Sequence, residues 1–317
     1  MKYRLSYVIR GIKVKPSRIA IVGGSGRMGS WFSQYFKDKK YSVILSARNR
    51  EKLIATAEKL GVGYAENNME AVKNADLVMV SVPISSTASI IKEIAPFLDP
   101  KTILFDIASV KGDIPKILEE QSLKYGFKAV SVHPMFGPGA TSLKGHTVAI
   151  IPIPGSEDAA TKLEQLFSED GALTVVTDGR THDRMISVVL GLPHFLNILF
   201  GAALLEVPEA ISQIREFSGT TFELQLLLTE CVFGEDPGLY SEIQMDNKYF
   251  VNFLGKLEKV FRELKKTIEQ NNEAEFFKKF ERVREKLAQD TKYASAYNNF
   301  YKIIKVLKNS EDYTTEN

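Results

Sequence analysis

The chain has 317 residues, enough for two domains, and its 44% hydrophobic and 25% charged composition is that of an ordinary soluble globular protein. Its 41 basic and 39 acidic side chains nearly cancel, so no long-range field points to nucleic acid or a membrane surface. The single cysteine, Cys231, excludes a disulfide framework and a CxxC zinc site; no metal centre is expected, and a reducing cytoplasm fits.

Residues 1–17 lack the long apolar core of a secretory signal. Tyr3, Leu5, Tyr7 and Ile9 alternate with mostly polar neighbours, so this extension reads either as an added edge strand or as disorder. From Arg18 onward strands and helices alternate. RIAIVG (18–23), YSVILSAR (41–48), DLVMVSVP (76–83), TILFDIAS (102–109), KAVSVHPM (128–135), HTVAIIPI (146–153) and ALTVVTD (172–178) are short runs rich in Val and Ile. They are apolar almost throughout, as in parallel strands covered on both faces. Helix-like segments such as SWFSQYFKDKK, NREKLIATAEKL and STASIIKEIAPFL lie between them. This alternation predicts an α/β fold, a Rossmann-type doubly wound parallel sheet over residues 18–178.

After Asp178 the pattern changes. Residues 179–205, 209–233, 238–270, 273–289 and 291–308 read as helices, with breaks at Pro208, at GEDPG (234–238) and near Asn271 and Asn272. An all-α C-terminal domain over 179–317 is therefore predicted. Its segment ISVVLGLPHFLNILFGAALL (186–205) is long enough to span a membrane, but Pro193, His194 and Asn197 sit in its middle. The sequence favours a helix buried on all sides within the helical domain.

Two stretches carry chemistry. Gly24-Ser25-Gly26-Arg27-Met28-Gly29 fits GxGxxG directly after a strand and at the start of a helix, the context in which a dinucleotide pyrophosphate sits on a helix N-terminus. Where an NAD enzyme usually carries an acid for the ribose, the second strand ends Ser46-Ala47-Arg48-Asn49-Arg50. A 2′-phosphate would be bonded by Ser46 and paired with Arg48, with Arg50 and Arg27 as helpers, so NADP is favoured over NAD. Ser81 and Pro83, at the end of the third strand, are further cofactor contacts. The second stretch is SVHPMFGPG (131–139), which places one of only four histidines, His133, at the end of an apolar run and then turns the chain sharply. Proton transfer needs that kind of fixed geometry.

Taken together and in order, IAIVGGSGRMGSWF, DIASVKGDIP, SVHPMFGPG, THDRMISVVLGLPHF and EDPGLYSEIQMDN resemble segments of the prephenate dehydrogenases and their arogenate-using relatives in tyrosine biosynthesis, over roughly residues 18–250. The resemblance implies an oxidative decarboxylation. Hydride leaves C4 of a cyclohexadienol ring for the nicotinamide, the 4-hydroxyl loses its proton and the ring carboxylate leaves as CO2. It implies that His133 accepts the hydroxyl proton and that Ser109 bonds the hydroxyl and holds His133. It also puts His194 and Lys111 near the substrate, although Lys111 has Asp106 and Asp113 as alternative partners. His182 reads as a helix-start residue beside Asp183, and His146 as structural. A homodimer through the helical domain is implied as well.

One departure stands out. The resemblance puts a carboxylate-gripping arginine at the position of Cys231, and Arg215, Arg184 and Lys248 are the candidates to replace it. The alternatives are another NADP-linked reductase of a small acid and a catalytically weak, dinucleotide-sensing dimer.

Overall fold

The structure, a computed structural model, describes residues 17–311. The alternating segment at residues 3–9 lies outside them. Two compact units divide the chain, one ending at Ile186 and the other beginning at Ser187. The division falls after Ile186 rather than after Asp178, so the helix carrying His182 and Asp183 belongs to the first unit.

The first unit runs β1 (Arg18–Val22), α1 (Arg27–Asp38), β2 (Ser42–Ser46), α2 (Arg50–Leu60), β3 (Gly63–Tyr64), α3 (Asn68–Val72), β4 (Leu77–Val80), α4 (Ile84–Ile94), β5 (Ile103–Asp106), α5 (Ile114–Tyr125), β6 (Lys128–Pro134), β7 (Thr147–Pro152), α6 (Glu157–Ser168), β8 (Leu173–Val176) and α7 (Gly179–Ile186). One eight-stranded sheet results, in the order β3-β2-β1-β4-β5-β6-β7-β8. Its winding reverses between β1 and β4, the kind of position where doubly wound sheets open a crevice at their carboxyl edge.

Alternate residues of each strand feed opposite cores. Ile19 and Ile21 of β1 pack with Phe32, Phe36, Leu53 and Phe167, whereas Ala20 and Val22 pack with Ile91, Ile94 and Leu118. Both faces are thus dry, which is why the strands read as apolar runs rather than as alternations. Two details escaped the sequence pattern. The short β3 adds an edge, and β7 runs antiparallel to β6. The connection over 135–146 contains no helix. Without a crossover helix the chain can only return antiparallel.

The turn from β1 into α1 is the tightest point of the sheet. Gly23 adopts φ +86°, and a Cβ there would lie 2.1 Å from the Ser81 carbonyl oxygen. At Gly29 a Cβ would lie 2.4 Å from the Gly23 oxygen. The glycine that admits β4 against the loop is therefore Gly23, one residue before the motif as counted from sequence.

The second unit opens with a π-helical turn, Ser187–Gly191, and continues with α8 (Leu192–Leu204), α9 (Ile211–Glu216), α10 (Thr220–Phe233), α11 (Pro237–Met245), α12 (Lys248–Glu269), α13 (Glu273–Leu287), a 3-10 turn at Thr291–Ser295 and α14 (Ala296–Glu311). Two predicted helices are each cut in two. One break lies at 217–219; the other lies at Asn247, whose side chain accepts from the Tyr249 and Phe250 amides and so starts α12 afresh. The expectation of a helix buried on all sides is corrected. On α8 only Asn197 is buried, while Leu196 and Leu199 are 48% and 49% exposed. Asn197 accepts from Gln225 and Thr229 and donates to the Pro193 carbonyl, so a polar anchor joins α8 to α10 beside the apolar contacts of Phe200 with Phe222 and of Gly201 with Phe233. By length and composition alone, Gly179–Leu204 would suffice to cross a membrane.

Gly23→Ala should lower the unfolding free energy by about 3 kcal/mol or more, because it adds both a left-handed backbone and a backbone clash. Denaturant titration checks this; a midpoint equal to that of the parent would show that the β1–α1 turn relaxes freely.

Candidate active site

β1, β4, β5 and β6 run parallel, so their carboxyl ends share one edge of the sheet. The glycine loop, Ser81-Val82-Pro83, the 106–109 segment and His133 all emerge there. Leu-, Val- and Ile-rich strands hold these ends rigid, and the site is built from the residues at and just beyond them.

His133 closes β6 and is 4% exposed. Its Nδ1 lies 2.9 Å from Nε2 of His182 on α7. His182 Nδ1 lies 2.8 Å from the Asp183 carboxylate. That carboxylate also accepts from the backbone amides of Lys111 and Gly112, both at 2.9 Å. His182 was expected at most to cap its helix; the cap is Asp178, which accepts from the Thr181 amide, and His182 faces inward. Sequence reasoning missed the pair, and its one signal was the His-Asp dipeptide within an otherwise polar helix start.

Beneath this chain lies a buried ion pair. The Lys111 ammonium donates to Asp106 Oδ1 at 2.8 Å and to the Val132 carbonyl at 2.7 Å. Ser131 donates to Asp106 Oδ2 at 2.5 Å. Both charged side chains are 0% exposed. Lys111 is thus corrected as a substrate contact, because an ammonium with no accessible surface offers nothing to a substrate carboxylate. It ties β5 to the backbone beside His133 instead. Asp106 is its partner, not Asp113.

Burial sets the electrostatics. His133 is held well below the ordinary imidazole value of 6.5, first by desolvation, then by the nearby His182 and Lys111. His182 is also lowered by burial, although its hydrogen bond to Asp183 opposes the shift. For Asp183, burial pushes upward, but the bonds from His182 and the two amides outweigh it and the carboxyl stays below its usual range. Lys111 is lowered by burial against the pull of Asp106. At neutral pH the site therefore presents a neutral His133. Ser109 is half-buried, and its hydroxyl has no hydrogen-bond partner among the described residues. The group that holds His133 is His182, not Ser109.

At the cofactor end, Gly24, Ser25, Gly26, Arg27, Met28 and Gly29 form the turn and first residues of α1, with Gly26 at the N-cap. Among the described residues no side chain caps that helix start by a hydrogen bond, and first-turn amides have no carbonyl partner within a helix. A pyrophosphate fits this cradle. The carboxyl end of β2 is more selective than the sequence suggested. Ser46 is buried and donates to Asn68, Asn49 caps α2 by accepting from the Lys52 amide, and Arg50 pairs with Glu66. Arg48 alone of that segment is exposed with no charged partner among the described residues. Ser81 approaches the loop through its backbone oxygen, and Pro83 caps α4.

Of the remaining candidates, Arg184 lies on α7 in the first unit, and His194, Arg215, Cys231 and Lys248 lie in the second. His194 packs edge-to-face on Tyr240, with ring centroids 4.9 Å apart, and burial lowers its pKa. Arg215 is corrected as a carboxylate binder. Its guanidinium donates to Glu223 at 2.9 Å and to Glu230 at 2.7 Å, beside a cavity of about 660 Å³. Two carboxylates already satisfy it and would repel a third. Cys231 is exposed, as is Lys248, which lies over the Tyr249 ring.

Comparison with known proteins adds an independent line. Residues 32–176 match the family model for "Prephenate dehydrogenase, nucleotide-binding domain", and residues 178–282 match "Prephenate dehydrogenase, dimerization domain". A probable arogenate/prephenate dehydrogenase of Methanocaldococcus jannaschii is 37% identical over 231 residues, covering 72% of this chain and 52% of that protein. A T-protein of Haemophilus influenzae is 29% identical, covering 84% of this chain and 66% of its own length. The chain thus spans about half to two-thirds of these curated relatives. Among solved structures, a prephenate dehydrogenase of Aquifex aeolicus, in complex with hydroxyphenyl propionate and NAD+, superposes with TM-score 0.69 at 22% identity, covering 88% of this chain and 99% of that one. The fold is shared.

The buried pair yields a stability test. Lys111→Met should cost about 3–5 kcal/mol, since it strands the Asp106 charge, and adding Asp106→Asn should return part of that loss. Chemical denaturation of the single and double variants measures both. No loss in the single variant would show that Asp106 is solvated.

Proposed function

The chain belongs to the prephenate dehydrogenase family, and on that premise we propose that it oxidatively decarboxylates prephenate or arogenate with NADP in preference to NAD. One observation carries the reading. A histidine held neutral stands on the same sheet edge as an open glycine cradle. A nicotinamide dinucleotide, when bound there, supplies the acceptor for the hydride leaving C4.

The chain's own residues do the rest. His133 takes the 4-hydroxyl proton, and its desolvated imidazole is available as a base across the neutral range. Ser109, whose hydroxyl has no hydrogen-bond partner among the described residues, bonds the same substrate oxygen and orients it. The ring carboxylate then leaves as CO2 as the ring becomes aromatic. Gly23 and Gly29 let the backbone approach the pyrophosphate, and Arg48 faces a 2′-phosphate as the one cation at the end of β2 without a partner among the described residues. His194 is the substrate residue of the helical unit. We propose a homodimer through that unit, supported by the exposed Leu196 and Leu199 of α8 and by the description of the matching family domain. A second reading, a dinucleotide-sensing dimer, draws on Cys231 at the expected arginine position and on Arg215 being taken by two glutamates.

Purified protein mixed with prephenate, and separately with arogenate, should reduce NADP faster than NAD. Tight NADP binding without turnover of either acid would favour the sensing dimer. His133→Asn should lower kcat by about 10²–10⁴ with cofactor affinity kept. Histidine is lost as a base only when pH falls through its folded pKa, and that value is depressed here. The rate should therefore hold as pH drops through 6.5 and fall only well below it; a limb near the ordinary value would contradict the buried setting. Arg48→Asp should weaken NADP binding far more than NAD binding, measured by titration of the dinucleotides; an unchanged preference would place the 2′-phosphate contact elsewhere.

A further inference from the structure

From the His133–His182–Asp183 chain, we propose that His182 and Asp183 set the tautomer of His133 and form a proton relay behind it. The tautomer half of this inference stands on hydrogen-bond geometry together with the burial that keeps both rings neutral, and the relay half rests on the proposed dehydrogenase reaction.

Hydrogen-bond direction fixes the protons. An ionised carboxylate accepts only, so Asp183 requires that His182 Nδ1 carry hydrogen. A neutral imidazole has one N–H, which leaves His182 Nε2 as an acceptor. The nitrogen facing it, His133 Nδ1, must then be the donor. This leaves the lone pair of His133 on Nε2. That atom has no hydrogen-bond partner among the described residues. It is also absent from the enclosed, unpartnered side-chain atoms among them, which are Arg18 Nε and Gln244 Oε1. Nε2 is therefore the ring nitrogen that keeps some accessible surface on a side chain only 4% exposed. The backbone amides of Lys111 and Gly112 occupy both oxygens of Asp183 and prevent its rotation, so the chain has one polarity.

The relay rests on where positive charge is best tolerated. When Nε2 takes the substrate hydroxyl proton, the new imidazolium of His133 sits near the Lys111 ammonium, a like charge. Lys111 acts on His182 too, but there the Asp183 carboxylate in direct contact, with Asp106 nearby, opposes it. The Nδ1 proton of His133 moves to His182 Nε2. His133 is then neutral with hydrogen on Nε2, and His182 is doubly protonated against Asp183. One proton enters at Nε2, one crosses between the rings, and no bond other than N–H and O–H changes. The Lys111–Asp106 pair stays as it was. Release of the Nε2 proton to water and return of the bridging proton restore the starting state.

The experiment uses full-length protein labelled with ¹⁵N-histidine. Only His133, His146, His182 and His194 contribute, so single substitutions assign every signal. At neutral pH His133 and His182 should both show hydrogen on Nδ1. Hydrogen on Nε2 of His133 would overturn the inference whether or not the protein turns over any acid. Asp183→Asn should disturb both tautomers. Because that variant also alters two backbone contacts, His182→Gln is the second arm. Its amide oxygen can accept from His133 Nδ1 and keep the tautomer, but it cannot take the proton. With substrate, kcat of this variant should fall by about 10²-fold at unchanged KM, and the curved proton inventory of the parent should become linear. A full rate in His182→Gln would overturn the relay and leave His182 only its orienting role. If the parent itself turns over neither acid while the tautomers are as stated, it is the dehydrogenase reading that fails.

Discussion

The Asp183 carboxylate takes hydrogen bonds from the Lys111 and Gly112 amides and from His182 Nδ1, and the geometry around His133 depends on it. The two amides fix α7 to the turn between β5 and α5. The imidazole passes that fixity to His133 on β6. A buried carboxylate without these donors would face a large desolvation cost; with three N–H groups it becomes a rigid acceptor. The same turn carries the Lys111 ammonium under β6, so one short segment positions His133 from its backbone and from its ring.

The sheet supplies the second requirement, which is closeness of backbone. Reversal of the winding beside β1 opens a crevice, but a dinucleotide reaches the first turn of α1 only if nothing projects from the loop. Gly23 settles this in a backbone conformation that other residues rarely adopt, hard against the Ser81 carbonyl. The aromatic side chains of α1 then lock the loop after His133. Trp31 donates to the Ala140 carbonyl at 2.6 Å and packs edge-on to Phe136. The helix that would carry the pyrophosphate and the loop after His133 are thereby one packed body.

The helical unit shows a different economy. Its apolar residues on α8 are largely uncovered, and its internal ties mix the polar cluster of Asn197, Gln225 and Thr229 with the aromatic contacts of Phe195 with Phe250 and of Phe200 with Phe222. Such a surface suits association, in keeping with the dimerization domain whose family model matches residues 178–282.

Local pattern in the sequence was enough for the sheet strands, the glycine turn and the position of His133, because burial on both faces and the demands of a tight turn act over a few residues. It failed where a partner is distant or where local chemistry competes. The antiparallel return of β7 has no periodicity of its own, and the breaks at 217–219 and Asn247 interrupt helices whose hydrophobic pattern runs on. Lys111, Ser46, Asn49 and Arg215 stand out in the sequence as polar residues, yet each is occupied by a partner in the structure. What the sequence determined by itself is the fold and the presence of an imidazole at the carboxyl edge of its sheet. Only the tertiary structure decided which side of that imidazole is open, because hydrogen-bond direction is set by a carboxylate brought from another part of the chain.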